Sequence, residues 1–184
     1  MKDLSLHILD LAQNSVKAEA TLVTIRLELG EDGWLTFTLI DDGKGMSPEL
    51  LAQVTSPFAT TRTTRKVGLG IPMMQETARR TGGDLTITSE VGKGTTLTAT
   101  LDTKNWDCLP LGDVPGTLLS LLIGCPLKPN FLFEGSSPRG TCSFDTRAVR
   151  EVLGDIPFSE PEIAAWLQDA LKEEIDPIFG GVLI

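Results

Sequence analysis

Two pairs of alternating segments constrain this chain more than anything else in it. TLVTIRLEL at 21–29 and WLTFTLI at 34–40 place apolar and polar residues in turn, and GEDG at 30–33 joins them. DLTITSE at 84–90 and GTTLTATLD at 94–102 repeat the arrangement across the VGKG turn at 91–94. A period of two marks strands with one buried face, and short glycine turns join such strands antiparallel. Helical segments surround the pairs. Residues 2–18 precede the first pair as a helix. Ser47 followed by Pro48 reads as an N-cap and a first-turn proline, opening a short helix. Residues 69–81 look helical and stop at Gly82-Gly83. The order predicts an α+β fold: a two-layer α/β sandwich, with helices on one face of a mixed, mostly antiparallel sheet.

Residues 105–184 follow a different pattern. GTLLSLLIG (116–124) reads as a short buried helix, and NFLFEG (130–135) and GTCSFDT (140–146) as strands paired around SSPRG. TRAVREVLG (146–154) reads as a helix closed by Gly154. SEPEIAAWLQDALKEEI (159–175) reads as another, opened by the capping-box spacing of Ser159 and Glu162. Charge shifts at the same point. Residues 1–104 carry 11 basic and 13 acidic groups, whereas residues 105–184 carry 5 and 12. A boundary is therefore expected near Lys104-Asn105, with one domain over 1–104 and a small α+β domain over 105–184 that holds no catalytic constellation.

Charge and composition also exclude several functions. A net charge of −9 without a basic patch argues against nucleic-acid binding. Hydrophobic residues make up 41% of the chain, enough for a packed core. No apolar run reaches the roughly 18 residues of a membrane span. Asp3, His7, Asp10 and Asn14 interrupt any signal-peptide core. Cys108, Cys125 and Cys142 fit no CxxC pattern and suit a reducing compartment, so a cytoplasmic protein is expected. Their equal spacing leaves a metal or iron–sulfur site to set against buried or idle thiols.

Three stretches carry candidate chemistry. In the first helix, Asp10, Asn14 and Lys17 recur at spacings of four and three and project from one face, while Leu4, Ile8, Leu11 and Ser15 form another. The first pair of strands runs into DDGKGM (41–46). There Asp41 could accept from an exocyclic amine and the glycines permit close approach, or the motif is an ordinary turn. In VGLGIPMM (67–74), Gly68 and Gly70 lead into a helix N-terminus suited to phosphate, with Arg62, Arg65 and Lys66 upstream; the alternative is a basic loop with a glycine hinge.

Taken together and in this order, the 9–21 helix, DDGKGM, GLG and EVGKGTTL resemble the GHKL superfamily. Its members include DNA gyrase, MutL-type repair ATPases, Hsp90, sensor histidine kinases and anti-sigma-factor kinases. The resemblance covers roughly residues 1–102. It implies ATP and Mg²⁺ as cofactors, with Asn14 the metal-coordinating amide and Lys17 meeting the terminal phosphates, unless Lys17 is merely a solvated helix-face lysine. It implies Asp41 as the adenine acceptor, Gly43 and Gly45 as the approach to the nucleotide, Met46 packing on the base, and Thr95 supporting Asp41. Residues 55–70 become an ATP lid, with Thr60, Thr61, Arg62, Gly68, Leu69 and Gly70 as nucleotide contacts. Asp10 falls where hydrolytic members carry a glutamate base and histidine kinases commonly carry asparagine. It is therefore a base or a second Mg²⁺ ligand. The run DLAQNSVKAEAT resembles the MutL-type motif, but Lys17 follows the kinase pattern. His7, the sole histidine, is a phosphoacceptor or relay, or else an ordinary helix residue.

Three functions follow. The first is a protein kinase acting in trans on a partner's Ser or His, which ranks highest because of Lys17 and the lid sequence FATTRTTRKVGLG. The second is a non-catalytic ATP-sensing module that binds a regulator. The third is a slow MutL-like ATPase switch. All three call for a protein partner, phosphoacceptor or regulator, and leave room for a homodimer; none calls for nucleic acid or a membrane.

Overall fold

The computed structural model describes residues 2–56 and 69–181. In chain order the elements are α1 (Leu4–Lys17), β1 (Leu22–Leu29), β2 (Trp34–Asp41), α2 (Pro48–Thr55), α3 (Gly70–Arg80), β3 (Leu85–Glu90) and β4 (Gly94–Asp102). These are followed by α4 (Val114–Gly124), β5 (Asn130–Ser137), β6 (Gly140–Asp145), α5 (Thr146–Leu153) and α6 (Pro161–Phe179). The strands form one six-stranded sheet in the order β3-β4-β2-β1-β5-β6. All neighbours run antiparallel except β1 and β5, which are parallel, so the sheet is mixed as expected.

The period of two decides the faces. Ile25 stands opposite Leu39 and Phe133, and Leu27 opposite Phe37, which also meets Ala99. All six are buried. The intervening Thr24, Arg26, Thr36, Thr98 and Thr100 are only half-buried. Helices cover the apolar face: α1 packs on β1 and β2, α3 on β3 and β4, and α6 on β5 and β6. Side chains cap two helix starts, one of them the expected Ser47. Asp3 accepts from the Leu6 N–H at 3.1 Å to start α1, and Ser47 accepts from the Leu50 N–H at 3.2 Å to start α2.

A separate C-terminal domain is not what the structure shows. Strand β5 lies against β1, with Leu22 opposite Asn130 and Glu28 opposite Ser136. The connection that carries the chain to this parallel position includes α4, which packs on α1 and α6. The carbonyls of Pro110 and Leu111 accept from the N–H groups of Leu4 and Ser5 at 2.9 and 2.8 Å. The return segment thus satisfies first-turn donors that a helix cannot pair internally. Leu118, Leu122, Phe133 and Leu171 belong to the same buried cluster as Leu4, Leu11 and Val23. The charge shift at residue 104 therefore reports what faces solvent, not where a core ends. The expected capping box is also replaced: α6 begins at Pro161 with Glu160 at its N-cap, and no side chain caps it.

Candidate functional site

The site grows from the end of β2. Asp41 closes the strand opposite Thr95 of β4, and α1 crosses above it. Asp41 is 9% exposed. Its Oδ2 accepts from the Ser15 hydroxyl at 2.6 Å and its Oδ1 from the Gly43 N–H at 3.0 Å. A carboxylate offers about four lone-pair positions, so each oxygen keeps acceptor capacity after these bonds. Ser15 lies on the buried stripe of α1 with Leu4, Ile8 and Leu11. A polar residue on an apolar stripe was the available signal, because buried hydroxyls find partners.

Three bonds fix the turn after Asp41. Asp42 accepts from the N–H groups of Thr21 and Leu22 at 2.7 and 3.0 Å and from the Thr21 hydroxyl. Burial pushes its pKa up, but these donors outweigh burial and hold it below the ordinary carboxylate value. Gly45 has φ +68°, and a Cβ there would lie 2.0 Å from the Glu90 carbonyl oxygen. Only glycine allows this close approach to the β3–β4 turn. Ser89 completes the corner. Its hydroxyl accepts from the Met46 N–H at 2.8 Å, donates to the Gly94 carbonyl at 3.0 Å and meets the Thr95 hydroxyl at 2.8 Å. With its single proton given to Gly94, Ser89 takes the Thr95 proton, which leaves the Thr95 oxygen as an acceptor.

Asp41 and Thr95 line a cleft of about 410 Å³. Leu11, Leu39, Met46, Leu50, Val54, Ile71 and Leu97 give it apolar walls, and Asn14, Lys17 and Lys44 supply its polar and cationic groups. Of the expected site residues, Asn14, Lys17, Asp41, Gly45, Met46 and Thr95 therefore share one cleft. Gly43 reaches it through its bond to Asp41. Lys44 was not anticipated; its ammonium stands 3.3 Å from the Glu19 carboxylate.

Other expected residues lie elsewhere. Asp10 sits against Gly70, the first residue of α3, where a Cβ would lie 2.2 Å from Asp10 Oδ2. It is not among the residues lining the cleft, which takes Leu11, Asn14, Ser15 and Lys17 from α1 and Ala18 just after it. A carboxylate at a helix N-terminus complements the positive end of the helix dipole, and the N-cap residue of α3, Leu69, makes no side-chain cap bond among the described residues. Leu69 lines a different groove with His7, Pro72 and Met73. His7 is 2% exposed, its Nδ1 has no hydrogen-bond partner among the described residues, and burial pushes its pKa down. So enclosed an imidazole does not present a nucleophile. Thr60, Thr61, Arg62 and Gly68 lie outside the described residues. Burial also raises the pKa of all three cysteine thiols, that of Cys142 to about 11. Among the described residues no three Cys, His, Asp or Glu side chains gather as metal ligands.

The fold is α+β, a mixed six-stranded sheet with helices, and a buried strand-end aspartate opens into a cleft beside the first helix. Residues 2–105 match the histidine kinase-, DNA gyrase B- and HSP90-like ATPases, and the chain belongs to that family. It is 36% identical over 85 residues to the sensor kinase CckA of Brucella abortus, covering 46% of this chain and 9% of that protein. It is 28% identical over 139 residues to the aerobic respiration control sensor protein ArcB of Escherichia coli, covering 69% of this chain and 18% of that one. The chain thus spans a small part of these relatives. In fold it resembles the N-terminal domain of a DNA repair protein, with a TM-score of 0.52 and 16% identity over 79% of this chain and 52% of that one. That share exceeds what residues 2–105 make up, so the likeness in fold reaches past the family match. Among the described residues no helix is long and apolar enough to cross a membrane.

Proposed function

We propose that the cleft binds Mg–ATP and that the chain is a kinase-type ATP module passing phosphate to a partner protein. The observation that carries the reading is the convergence of a fixed buried acceptor and a polar rim on one apolar cleft. Asp41, held by Ser15 and Gly43, and the Thr95 oxygen fit an exocyclic amine, while Met46, Leu39 and Ile71 fit the faces of a flat base. The Asn14 amide oxygen suits a hard cation that keeps most of its own water, and Lys17 and Lys44 suit phosphate charge. When bound, ATP supplies a γ-phosphoryl group whose bond to the β-phosphate oxygen breaks as one forms to an acceptor hydroxyl or imidazole.

Asp10, one methylene shorter than the glutamate of hydrolytic members, favours transfer or sensing over hydrolysis. A base must come within about 3 Å of the proton it takes, directly or through one water, and the shorter side chain reaches less far. A non-catalytic sensing module is the second reading, and the same short side chain supports it.

Incubation with γ-labelled ATP and cell lysate, read for labelled protein and for free phosphate, tests the ranking. Labelled protein with little free phosphate is expected, and Asp10→Asn should retain most of the transfer. Fast phosphate release that disappears in Asp10→Asn would make the chain an ATPase. Binding with neither product would leave the sensing module.

A further inference from the structure

The corner between α5 and α6 is built unlike the rest of the surface. Val152 is 86% exposed and Trp166 is 52% exposed, and Ile156 between them is exposed as well. Single exposed apolar side chains are ordinary, but these share one short stretch of chain. Phe158 anchors the stretch: it is fully buried, and its N–H donates to the Pro126 carbonyl at 3.2 Å. That bond brings exposed Leu127 to the same corner.

Charge around the corner is mostly negative. Between residues 151 and 169 there are five carboxylates and no lysine or arginine. All five are exposed, and among the described residues none is in an ion pair. The nearby arginines do not offset them. Arg150 donates to Asn130 Oδ1 and to the Pro126 carbonyl and lies 4.1 Å over the Phe158 ring, and Arg147 pairs with Asp145. Lys128, beside Leu127, is the remaining cation of the corner. Acids left without partners lower nothing in the folded chain, since like charges repel across the surface. They match a cationic partner, and the apolar groups give that partner somewhere to anchor.

We propose that the α5–α6 corner, with Val152, Ile156 and Trp166 set among unpaired carboxylates, is a docking surface for a lysine- or arginine-rich amphipathic segment of a partner protein. The proposal does not rest on the nucleotide reading.

The test uses the full chain and two labelled helical peptides with the same leucine positions, one completed with lysine and one with glutamate. Fluorescence anisotropy at physiological salt should show the lysine peptide binding and the glutamate peptide not. Trp166→Gln and Ile156→Ser should each weaken binding about tenfold. Ile156→Leu should preserve it, and Asp155→Lys should weaken it most at low salt. Circular dichroism should show all four variants folded, since each replaced side chain is exposed. Binding that survives Trp166→Gln and Ile156→Ser and follows salt alone would overturn the proposal in favour of general attraction to an acidic chain. Absence of binding by either peptide would also overturn it. So would a dimer, seen by sedimentation, that Trp166→Gln dissociates, because the surface would then belong to a second copy.

Discussion

The corner at residues 41–46 and the corner at residues 150–160 both end a stretch of regular structure, and they treat polar groups in opposite ways. In the first, polar groups bind one another. Asp41 holds Ser15 and Gly43, Asp42 holds Thr21 and Leu22, and Ser89 ties Met46 to Gly94 and Thr95. In the second, Glu151, Asp155 and Glu160 are exposed beside exposed Val152 and Ile156, and none is in an ion pair among the described residues. A small rigid ligand rewards the first construction, because acceptors fixed before binding cost no ordering on contact. A broad, charged protein segment is served by the second. Both corners nevertheless rest on one core.

That shared core is the part of the comparison most open to a large effect. Leu171 on α6 is fully buried in the cluster that also holds Leu11 and Val23. Leu171→Ala should cost about 2–5 kcal/mol. Urea unfolding followed by tryptophan fluorescence and by circular dichroism should still give one coincident transition. Two transitions, with residues 105–184 melting first, would restore a separate domain.

A smaller effect separates a strained corner from a free turn. Gly45→Ala meets a backbone oxygen as well as a left-handed φ, and it should cost about 1–3 kcal/mol and weaken nucleotide binding. Gly92→Ala has φ +79° with nothing within 4 Å of the added Cβ, and should cost only about 1–2 kcal/mol with binding intact. Equal losses in the two variants would mean that the approach of Gly45 to Glu90 is not a constraint.

His7 gives the smallest expected effect, read through pH. Burial holds its folded pKa below the ordinary 6.5, so the unfolded chain takes up the proton first as pH falls. Its contribution is complete above 6.5 and is lost progressively as pH drops below that value. The lowered carboxylates Asp42, Asp84 and Asp145 lose theirs only below the ordinary 3.8. Melting temperatures measured from pH 7 to pH 5 should therefore fall, and His7→Phe should flatten that slope. An unchanged slope would assign the pH dependence to other groups.

Much of this was legible in the sequence. The alternation at 21–40 and 84–102, the glycine turns and the Ser47 cap fixed four strands and their antiparallel pairing, because those signals are local. The elements of 105–184 were legible too, but their placement was not: nothing local in NFLFEG tells that it pairs with TLVTIRLEL. Asp41, Asn14, Lys17 and Thr95 were found as motif residues. Ser15 and Ser89 were missed, since their roles arise only where α1 and the β3–β4 turn meet the end of β2. Of the face of α1 singled out by helical spacing, Asn14 and Lys17 line the cleft, and Asp10, one turn earlier, lies against Gly70 at the start of α3.

The central claim is that Asp41, held by Ser15, selects the base of ATP in this cleft. Calorimetric titration of ATP with Mg²⁺ into the wild type and Asp41→Asn tests it most directly. A bond to a buried charge is worth about 1.5–3 kcal/mol, so affinity should fall about ten- to hundredfold while the circular dichroism spectrum stays the same. Equal ATP affinity in the two proteins would contradict the account.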